Sequence, residues 1–298
     1  MTAEPLEEYL QWLAVERGRS RATLEAYRRD LRRLAEWAAH AERDPLTLTP
    51  EELERYANAL RATQAAASVA RALTAIRGWY GFLIEERALT EDPTARLAPA
   101  RRGRSLPKPL SEETVFAIID GVGDEGPLDR RDRALLETLY GTGARVSEVC
   151  GIDLADLDLD EEVVRVTGKG NKQRLVPIGR SLRRSLDDYL APGGRSALVR
   201  GRRTDRLFVN VRGEPLSRQG VDLVVRRRAL EAGVSAHGVS AHAFRHSCAT
   251  HMLAHGADVR TVQELLGHAS IATTQVYTAV AITTLQREYR EAHPRAHD

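Results

Sequence analysis

The chain has 298 residues, 42% of them hydrophobic, and a formal net charge of only +2. This length and composition can fill the cores of two domains, while the small net charge does not by itself indicate a nucleic-acid-binding protein. No run approaches the roughly 18 apolar residues of a membrane span, and the acidic N-terminus MTAEPLEEYL lacks an export signal. We therefore expect no membrane partner and a cytoplasmic location.

Residues 1–87 are predicted to form an N-terminal bundle of four helices. Apolar residues recur there at helical spacing. Ser20 is a predicted N-cap, and Thr49-Pro50-Glu51-Glu52 combines a cap, a first-turn proline and a capping-box glutamate. The fourth helix is predicted over residues 64–87.

Residues 88–109 are predicted to be a basic linker between two domains. Four prolines and a cluster of arginines interrupt the helical pattern in this stretch. Prolines keep the residues before them extended, so a helix is disfavoured. The remaining residues, 110–298, are predicted to form the second and larger domain.

The second domain begins with a helix capped by Ser111, and its first candidate functional residue is Arg145. Gly141 and Gly143 break the chain just before Arg145, and a new helix follows. Glu148 lies three residues further along that helix, where it could orient the guanidinium. The same spacing also fits an ordinary surface pair.

A small β-hairpin is predicted after an acidic loop at residues 153–162. The strands are Val163 to Thr167 and Leu175 to Pro177, joined by a Gly-rich turn that carries Lys169 and Lys172.

The chain has only three lysines among its 44 basic residues, and two of them lie in this turn. A lysine ammonium can give up its proton during a reaction, whereas a guanidinium cannot. This chemistry favours Lys169 as a general acid and Lys172 as a phosphate contact, although a short charged turn could hold them by chance.

Basic residues are concentrated in the middle of this domain. Ten arginines lie between Arg195 and Arg228, and seven cations without an acid lie between Arg165 and Arg184. A helix is predicted over 181–189 and a mobile loop over 191–205. A further helix, capped by Ser217, is predicted to carry Arg226 to Arg228 on its outer face and to run through the apolar residues Val221, Leu223, Val224 and Leu230. Such a helix fits a DNA groove, but it also fits any basic surface.

The most informative stretch runs from His242 to Tyr277. His242 and Arg245 stand three residues apart, so in a helix both project from one side and suit a phosphate. Gly267 is predicted to end the next helix, which places His268 at a turn. Tyr277 is a nucleophile if its phenol loses its proton.

Together, H-x-x-R, L-G-H and Y, with GTGARVSEV around Arg145, resemble the catalytic half of the tyrosine recombinases, the phage integrase family. The words around them are most similar to the Xer group. The resemblance implies a mainly α fold with a small β-sheet. It also implies a four-helix, SAM-like core-binding domain and a larger catalytic domain that close on DNA as a clamp.

The resemblance further implies a reaction through a 3'-phosphotyrosyl intermediate, without ATP, metal or cofactor. Two arginines and a histidine would bind the phosphate, a second histidine would move the phenol proton, and a lysine would protonate the leaving oxygen. The residues implied as catalytic are Arg145, Lys169, His242, Arg245, His268 and the nucleophile Tyr277.

The implied partners are double-stranded DNA with a dif-like site and a second Xer recombinase, in a heterotetramer on two duplexes. A DNA translocase at the septum is a further implied partner, and the implied task is resolving chromosome dimers during cell division. The last helix, from Ile282 onward, has an apolar face without an obvious place in its own core. In the family the equivalent segment docks into a neighbouring subunit.

Three other functions remain open from the sequence. A non-catalytic DNA-binding regulator would use the same clamp, and a type IB topoisomerase would share the chemistry without needing a particular site. A metal-dependent hydrolase could use histidines spaced four apart, although no H-E-x-x-H motif is present. Its candidate ligands are His242, His246, His251 and His255.

Overall fold

The computed structural model describes residues 3–98, 109–267 and 279–297, and the chain divides into compact units at residues 1–105 and 106–298. The described residues form a mainly α structure with one small sheet, which confirms the predicted fold class. In the part of the chain that the structure describes, no helix is long and apolar enough to cross a membrane.

Between residues 3 and 98 the first unit contains four α-helices, as predicted. Ser20 caps the second helix, and Thr49 and Glu52 form the predicted capping box of the third. Their inward faces surround a core that includes the buried Trp79 and Tyr80. The bounds are Ala3–Val15 (α1), Arg21–His40 (α2), Pro50–Thr63 (α3) and Ala66–Glu85 (α4).

The segment after α4 packs against this helical core. Leu97 is buried in it, and its carbonyl oxygen accepts a hydrogen bond of 2.5 Å from Arg77 Nη2. Burial of an apolar side chain stabilises this position even though the segment is rich in proline.

The second unit is built around one buried helix, α6, whose Leu135, Leu136 and Leu139 are all inaccessible to solvent. In residues 109–267 and 279–297 the helices are Glu112–Asp120 (α5), Pro127–Thr142 (α6), Val146–Val149 (α7), Arg180–Leu190 (α8), Arg195–Val199 (α9), Arg218–Glu231 (α10), Ala241–Ala254 (α11), Val259–Leu266 (α12) and Ala279–Ala292 (α13).

The predicted hairpin is present and is extended by a third strand. Leu157–Asp158 (β1), Val163–Thr167 (β2) and Gln173–Pro177 (β3) form an antiparallel sheet in the order β1-β2-β3. The acidic stretch is predicted as mostly loop, and β1 is a two-residue strand within it. Leu157 pairs with Val164, so the short strand completes the hydrogen bonding of β2.

The stretch 191–205, predicted as a mobile loop, contains α9 and is held by Arg195. The guanidinium of Arg195 donates to the carbonyl oxygens of Thr204 and Arg206 at 2.7 and 2.6 Å. An arginine that satisfies several carbonyls cross-links the chain. This part of the predicted basic patch is therefore structural.

Helix α10 also differs from the prediction, although Ser217 caps it as expected. Two of the four apolar residues named for this helix, Leu223 and Leu230, are 69% and 63% exposed, whereas the two valines are buried. Arg228, predicted to be on the outer face, is instead buried and paired with Asp132 and Asp129. The paired arginine takes the inward position, and the helix is rotated accordingly.

The prediction that the last helix lacks a place in its own domain is wrong. Leu285 and Tyr289 of α13 are buried against the same chain, and Thr261 of α12 hydrogen-bonds to Glu288. Beyond the helix, Arg295 donates to Glu137 at 2.6 Å and to Asp120 at 2.9 Å. Deleting residues from 282 onward would therefore remove core packing from the single chain.

Candidate active site

Arg145 stands where the chain leaves α6 and enters α7. Gly143 ends α6 in the left-handed conformation, with φ of 55°, and Arg145 is the N-cap of α7. Its backbone N–H donates to Glu148 Oε2 at 2.8 Å, and its Nη1 donates to Glu148 Oε1 at 2.9 Å. The side chain remains 45% exposed, so one side of the guanidinium can meet a ligand.

Arg245 projects inward from α11, which Ser240 caps. Only 8% of the residue is exposed, and its Nη1 and Nη2 donate to Gly143 O at 2.5 Å and Leu266 O at 2.8 Å. Burial, followed by the charge of Arg145, lowers the pKa of Arg245 to about 10. The group is still a cation at neutral pH, and its two hydrogen-bond acceptors carry no charge.

Arg174 of β3 is the third arginine at this place, and it is only 7% exposed. Its Nη1 and Nη2 donate to the two oxygens of Glu148 at 3.1 and 2.9 Å, and its Nε donates to Leu265 O at 2.8 Å. Burial alone would raise the pKa of Glu148, but hydrogen bonds and charge from Arg174, helped by Arg145, hold it below its ordinary value. Glu148 is therefore an anion.

The three guanidiniums converge on the C-terminal end of α12. They reach three successive carbonyls, because Arg174 contacts Leu265, Arg245 contacts Leu266, and Arg145 Nη2 lies 3.4 Å from Gly267 O. The last carbonyls of a helix lack partners within it and attract cations. We call Arg145, Arg174, Arg245 and Glu148 the helix-end cluster.

Gly267 is required at this helix end. It has φ of 65°, and a Cβ on it would lie 3.0 Å from Arg174 Nη1. This confirms the predicted stop at Gly267. His268 follows directly and lies outside the described residues, as does Tyr277.

His242 lies in the first turn of α11, exposed to solvent. Arg245 follows it by three residues, so both belong to the same side of the helix. The fold therefore places Arg245 at the helix end beside Arg145, with His242 one turn away on α11.

Lys169 lies in the turn between β2 and β3, as predicted, in a short 3-10 segment at Lys169–Asn171. The structure describes its backbone, whereas its side chain lies outside the described part. The preceding Gly168 is close to the helix-end cluster, since a Cβ there would lie 3.1 Å from Glu148 Oε1. The turn thus begins against the carboxylate that holds Arg145.

Arg174 is the residue that sequence reasoning missed, because it was counted within a basic surface patch. A signal was present. Residues two apart in a strand share a face, so Arg174 shares the face of the buried Val176. A charged residue at a buried position needs partners, and Glu148 was the available acid.

Two of the four histidines of the alternative metal site have other partners. His251 Nδ1 lies 2.8 Å from the Tyr140 hydroxyl, and His255 Nε2 lies 2.8 Å from Glu112 Oε1. Among the described residues, no three His, Cys, Asp or Glu side chains come together as metal ligands would. This arrangement gives the hydrolase hypothesis no support.

Comparison with known sequences decides the family. A profile described as "Phage integrase family" matches residues 108–283, and one described as "Phage integrase, N-terminal SAM-like domain" matches residues 6–87. The chain belongs to the phage integrase family. It is a site-specific tyrosine recombinase, an enzyme that breaks and rejoins DNA strands.

Curated relatives place the recombinase within the Xer group. It is 44% identical to tyrosine recombinase XerD of Mycobacterium tuberculosis over 98% of this chain and 97% of the relative. It is 41% identical to XerD of Yersinia pestis over the same shares. The words ATHMLAHGADVR at residues 249–260 also lean toward the XerD type.

Solved structures support the same fold. A lambda integrase dimer bound to a COC' core site has a TM-score of 0.70 at 21% identity, covering 92% of this chain and 99% of that one. XerH bound to a palindromic difH substrate has a TM-score of 0.69 at 21% identity, covering 90% and 75%. At these identities the likeness shows the fold alone.

Proposed function

We propose that this recombinase resolves chromosome dimers at a dif-like site in double-stranded DNA during cell division, in the cytoplasm. The XerD relatives, similar over nearly the whole chain, support this task. The observation that carries the chemistry is the helix-end cluster, where Arg145 and Arg174 bind one carboxylate and the third guanidinium, Arg245, is held by backbone carbonyls. Such a surplus of fixed positive charge suits a phosphodiester.

Each predicted domain would have its own role. Residues 1–87 would be the core-binding domain, residues 88–109 the basic linker along the phosphates, and residues 110–298 the catalytic domain. Each of the two matched profiles falls almost wholly within one of these domains, which supports the assignment.

Arg145 and Arg245 would bind the non-bridging oxygens of one scissile phosphate, and His268 would add a third contact. Their hydrogen bonds to Glu148, Gly143 and Leu266 support this role, because donors held before the reaction need not reorganise during it. No metal ion or ATP would enter the reaction, since the cations come from side chains.

Tyr277 would attack the phosphorus in line. Its phenolic oxygen forms the P–O bond of a 3'-phosphotyrosyl link while the bond to the 5'-oxygen breaks. His242 would accept the phenol proton, and Lys169 would protonate the departing 5'-oxygen. A 5'-hydroxyl from the other duplex then reverses these steps, so the phosphodiester is rebuilt without an energy source.

The assembly would hold two duplexes and four active sites. A second Xer recombinase would supply two of the subunits in a heterotetramer, and a DNA translocase at the septum would activate it.

The test is incubation of the recombinase with a nicked duplex carrying a dif-type site, in EDTA, followed by denaturing electrophoresis. We expect a covalent adduct that Tyr277→Phe abolishes and that the matched Tyr27→Phe variant retains. A second Xer recombinase is included in parallel reactions.

An adduct that survives in Tyr277→Phe would contradict the assigned nucleophile. DNA binding without an adduct in any reaction would favour a regulator. Relaxation of plasmids that lack the site would favour a topoisomerase.

A further inference from the structure

Arg174 holds groups that surround Arg145 and Arg245. We propose that Arg174 is a positioning residue of the recombinase: it aligns Arg145 and the C-terminal end of α12 before the phosphate arrives. This inference rests on the roles proposed above for Arg145 and His268.

The geometry rules out a direct contact between Arg174 and DNA. Three of its nitrogens donate to protein acceptors, two to Glu148 and one to Leu265 O, and the residue is buried. Its effect on the reaction must therefore pass through those acceptors.

The first path runs through Glu148. Arg174 binds both oxygens of this carboxylate in a two-pronged pair, and the same oxygens accept the backbone N–H and Nη1 of Arg145. The position of Arg145 is thus fixed by a carboxylate that is itself fixed by Arg174.

The second path runs through α12. Arg174 Nε holds Leu265 O, and its guanidinium lies against Gly267, where a Cβ would come within 3.0 Å. One planar group therefore joins β3 to α7 and to the residue that precedes His268. A misplacement of about 1 Å in such a site can slow a reaction on the order of 100-fold.

Arg174 also sets the charge of the site. Without it, Glu148 would be neutralised by Arg145 alone, and the surplus of positive charge would fall. With it, Arg174 and Glu148 balance each other, so Arg145 and Arg245 keep their charge for the phosphate.

A lysine could not replace Arg174 fully. A guanidinium presents its donors in a rigid fork that can meet a carboxylate and a carbonyl together, whereas an ammonium is a point charge. Arg174→Lys would keep the buried charge but lose part of the alignment. It should fall between the wild type and Arg174→Gln.

The experiment measures adduct formation at saturating protein, together with the Kd for the nicked duplex and the Tm of each variant. We expect Arg174→Gln to cleave about 100-fold more slowly, with Kd within about threefold of wild type. Arg260→Gln is the matched control, because Arg260 is an exposed arginine paired with Glu264 on α12. It should cleave at the wild-type rate.

A double variant separates positioning from general damage. Because part of the effect of Arg174 passes through Arg145, combining Arg174→Gln with Arg145→Ala should slow cleavage by less than the product of the two separate losses. Rates that multiply in the double variant, or a wild-type rate in Arg174→Gln, would overturn the proposal. If Arg174→Gln does not fold, the same rates are measured with Arg174→Lys, alone and combined with Arg145→Ala.

A substrate with sulfur as the 5'-bridging atom distinguishes an effect of Arg174 on the protonation of the leaving oxygen by Lys169 from an effect on phosphate binding through Arg145. Sulfur leaves without a proton, so it should rescue Lys169→Ala but not Arg174→Gln. Rescue of Arg174→Gln would overturn the proposed path through Arg145. Absence of any Tyr277-dependent adduct in the wild type would instead overturn the proposed function itself.

Discussion

The catalytic domain contains two arginine clusters that differ in net charge. The helix-end cluster sets three guanidiniums against one carboxylate, and its other acceptors are backbone carbonyls. The second cluster, between α6 and α10, sets three guanidiniums against three carboxylates. We call it the α6–α10 cluster, and its members are Arg131, Arg227, Arg228, Asp129, Asp132 and Glu231.

The difference lies in what neutralises the charge. Asp132 is fully buried and accepts hydrogen bonds from Arg131, Arg227 and Arg228, so the α6–α10 cluster has no surplus charge to offer a ligand. Carbonyls satisfy the hydrogen bonds of Arg245 without cancelling its charge. A group of arginines therefore keeps a net positive charge for an anion when carbonyls supply part of its hydrogen-bond acceptors in place of carboxylates.

A substitution in the α6–α10 cluster should lower the stability of the fold more than any other change proposed here. Arg228→Ala leaves Asp132 buried with fewer partners, and we expect the free energy of unfolding to fall by about 3–5 kcal/mol. Chemical denaturation would measure it. Cleavage per folded molecule should stay close to wild type.

The matched control is Arg226→Ala, an exposed arginine on the same helix, which should change stability by less than about 0.5 kcal/mol. Equal stability of the two variants would show that the α6–α10 cluster does not hold the fold.

A substitution in the helix-end cluster should slow cleavage rather than lower stability. Arg245→Gln removes the buried cation that we propose binds the phosphate, so we expect cleavage to slow by about 10²–10³-fold. Single-turnover adduct formation at saturating protein would measure the rate. A large loss of stability with a normal rate per folded molecule would mean that this cluster is structural too.

A third buried arginine pair predicts a stability that depends on pH. Arg295 pairs with Glu137, whose pKa is raised by burial. Arg295→Ala should cost about 1.5–3 kcal/mol of unfolding free energy at neutral pH. Denaturation of wild type and variant at several pH values would measure the difference.

Without the charge and hydrogen bond of Arg295, which lower the pKa of Glu137, burial raises that pKa further in the variant than in the wild type. As pH falls through it, the folded variant takes up a proton that the unfolded chain does not yet bind, so its relative stability rises. The gap between wild type and variant should therefore narrow toward acidic pH. In a Glu137→Gln background this dependence should vanish, and a gap that widens on acidification would contradict the assignment.

Local rules were enough to predict many elements. Ser20, Thr49, Ser111, Ser217 and Gly267 act at the helix ends where the sequence predicts them. Caps and stops depend on a few neighbouring residues, so the sequence contains all the information they need. The order of H-x-x-R, L-G-H and Y likewise predicts the family that comparison confirms.

The sequence alone is therefore enough to predict the helical framework, the hairpin and the family. Which charges cancel one another depends on the tertiary structure. Arg174 and Arg228 both lie in stretches that read as basic surface, yet each is buried with acids distant in sequence. The position of α13 was also not predictable from its sequence, because its buried apolar residues pack against distant parts of its own domain. Pairing and packing across distant segments depend on the folded chain, and no local pattern records them.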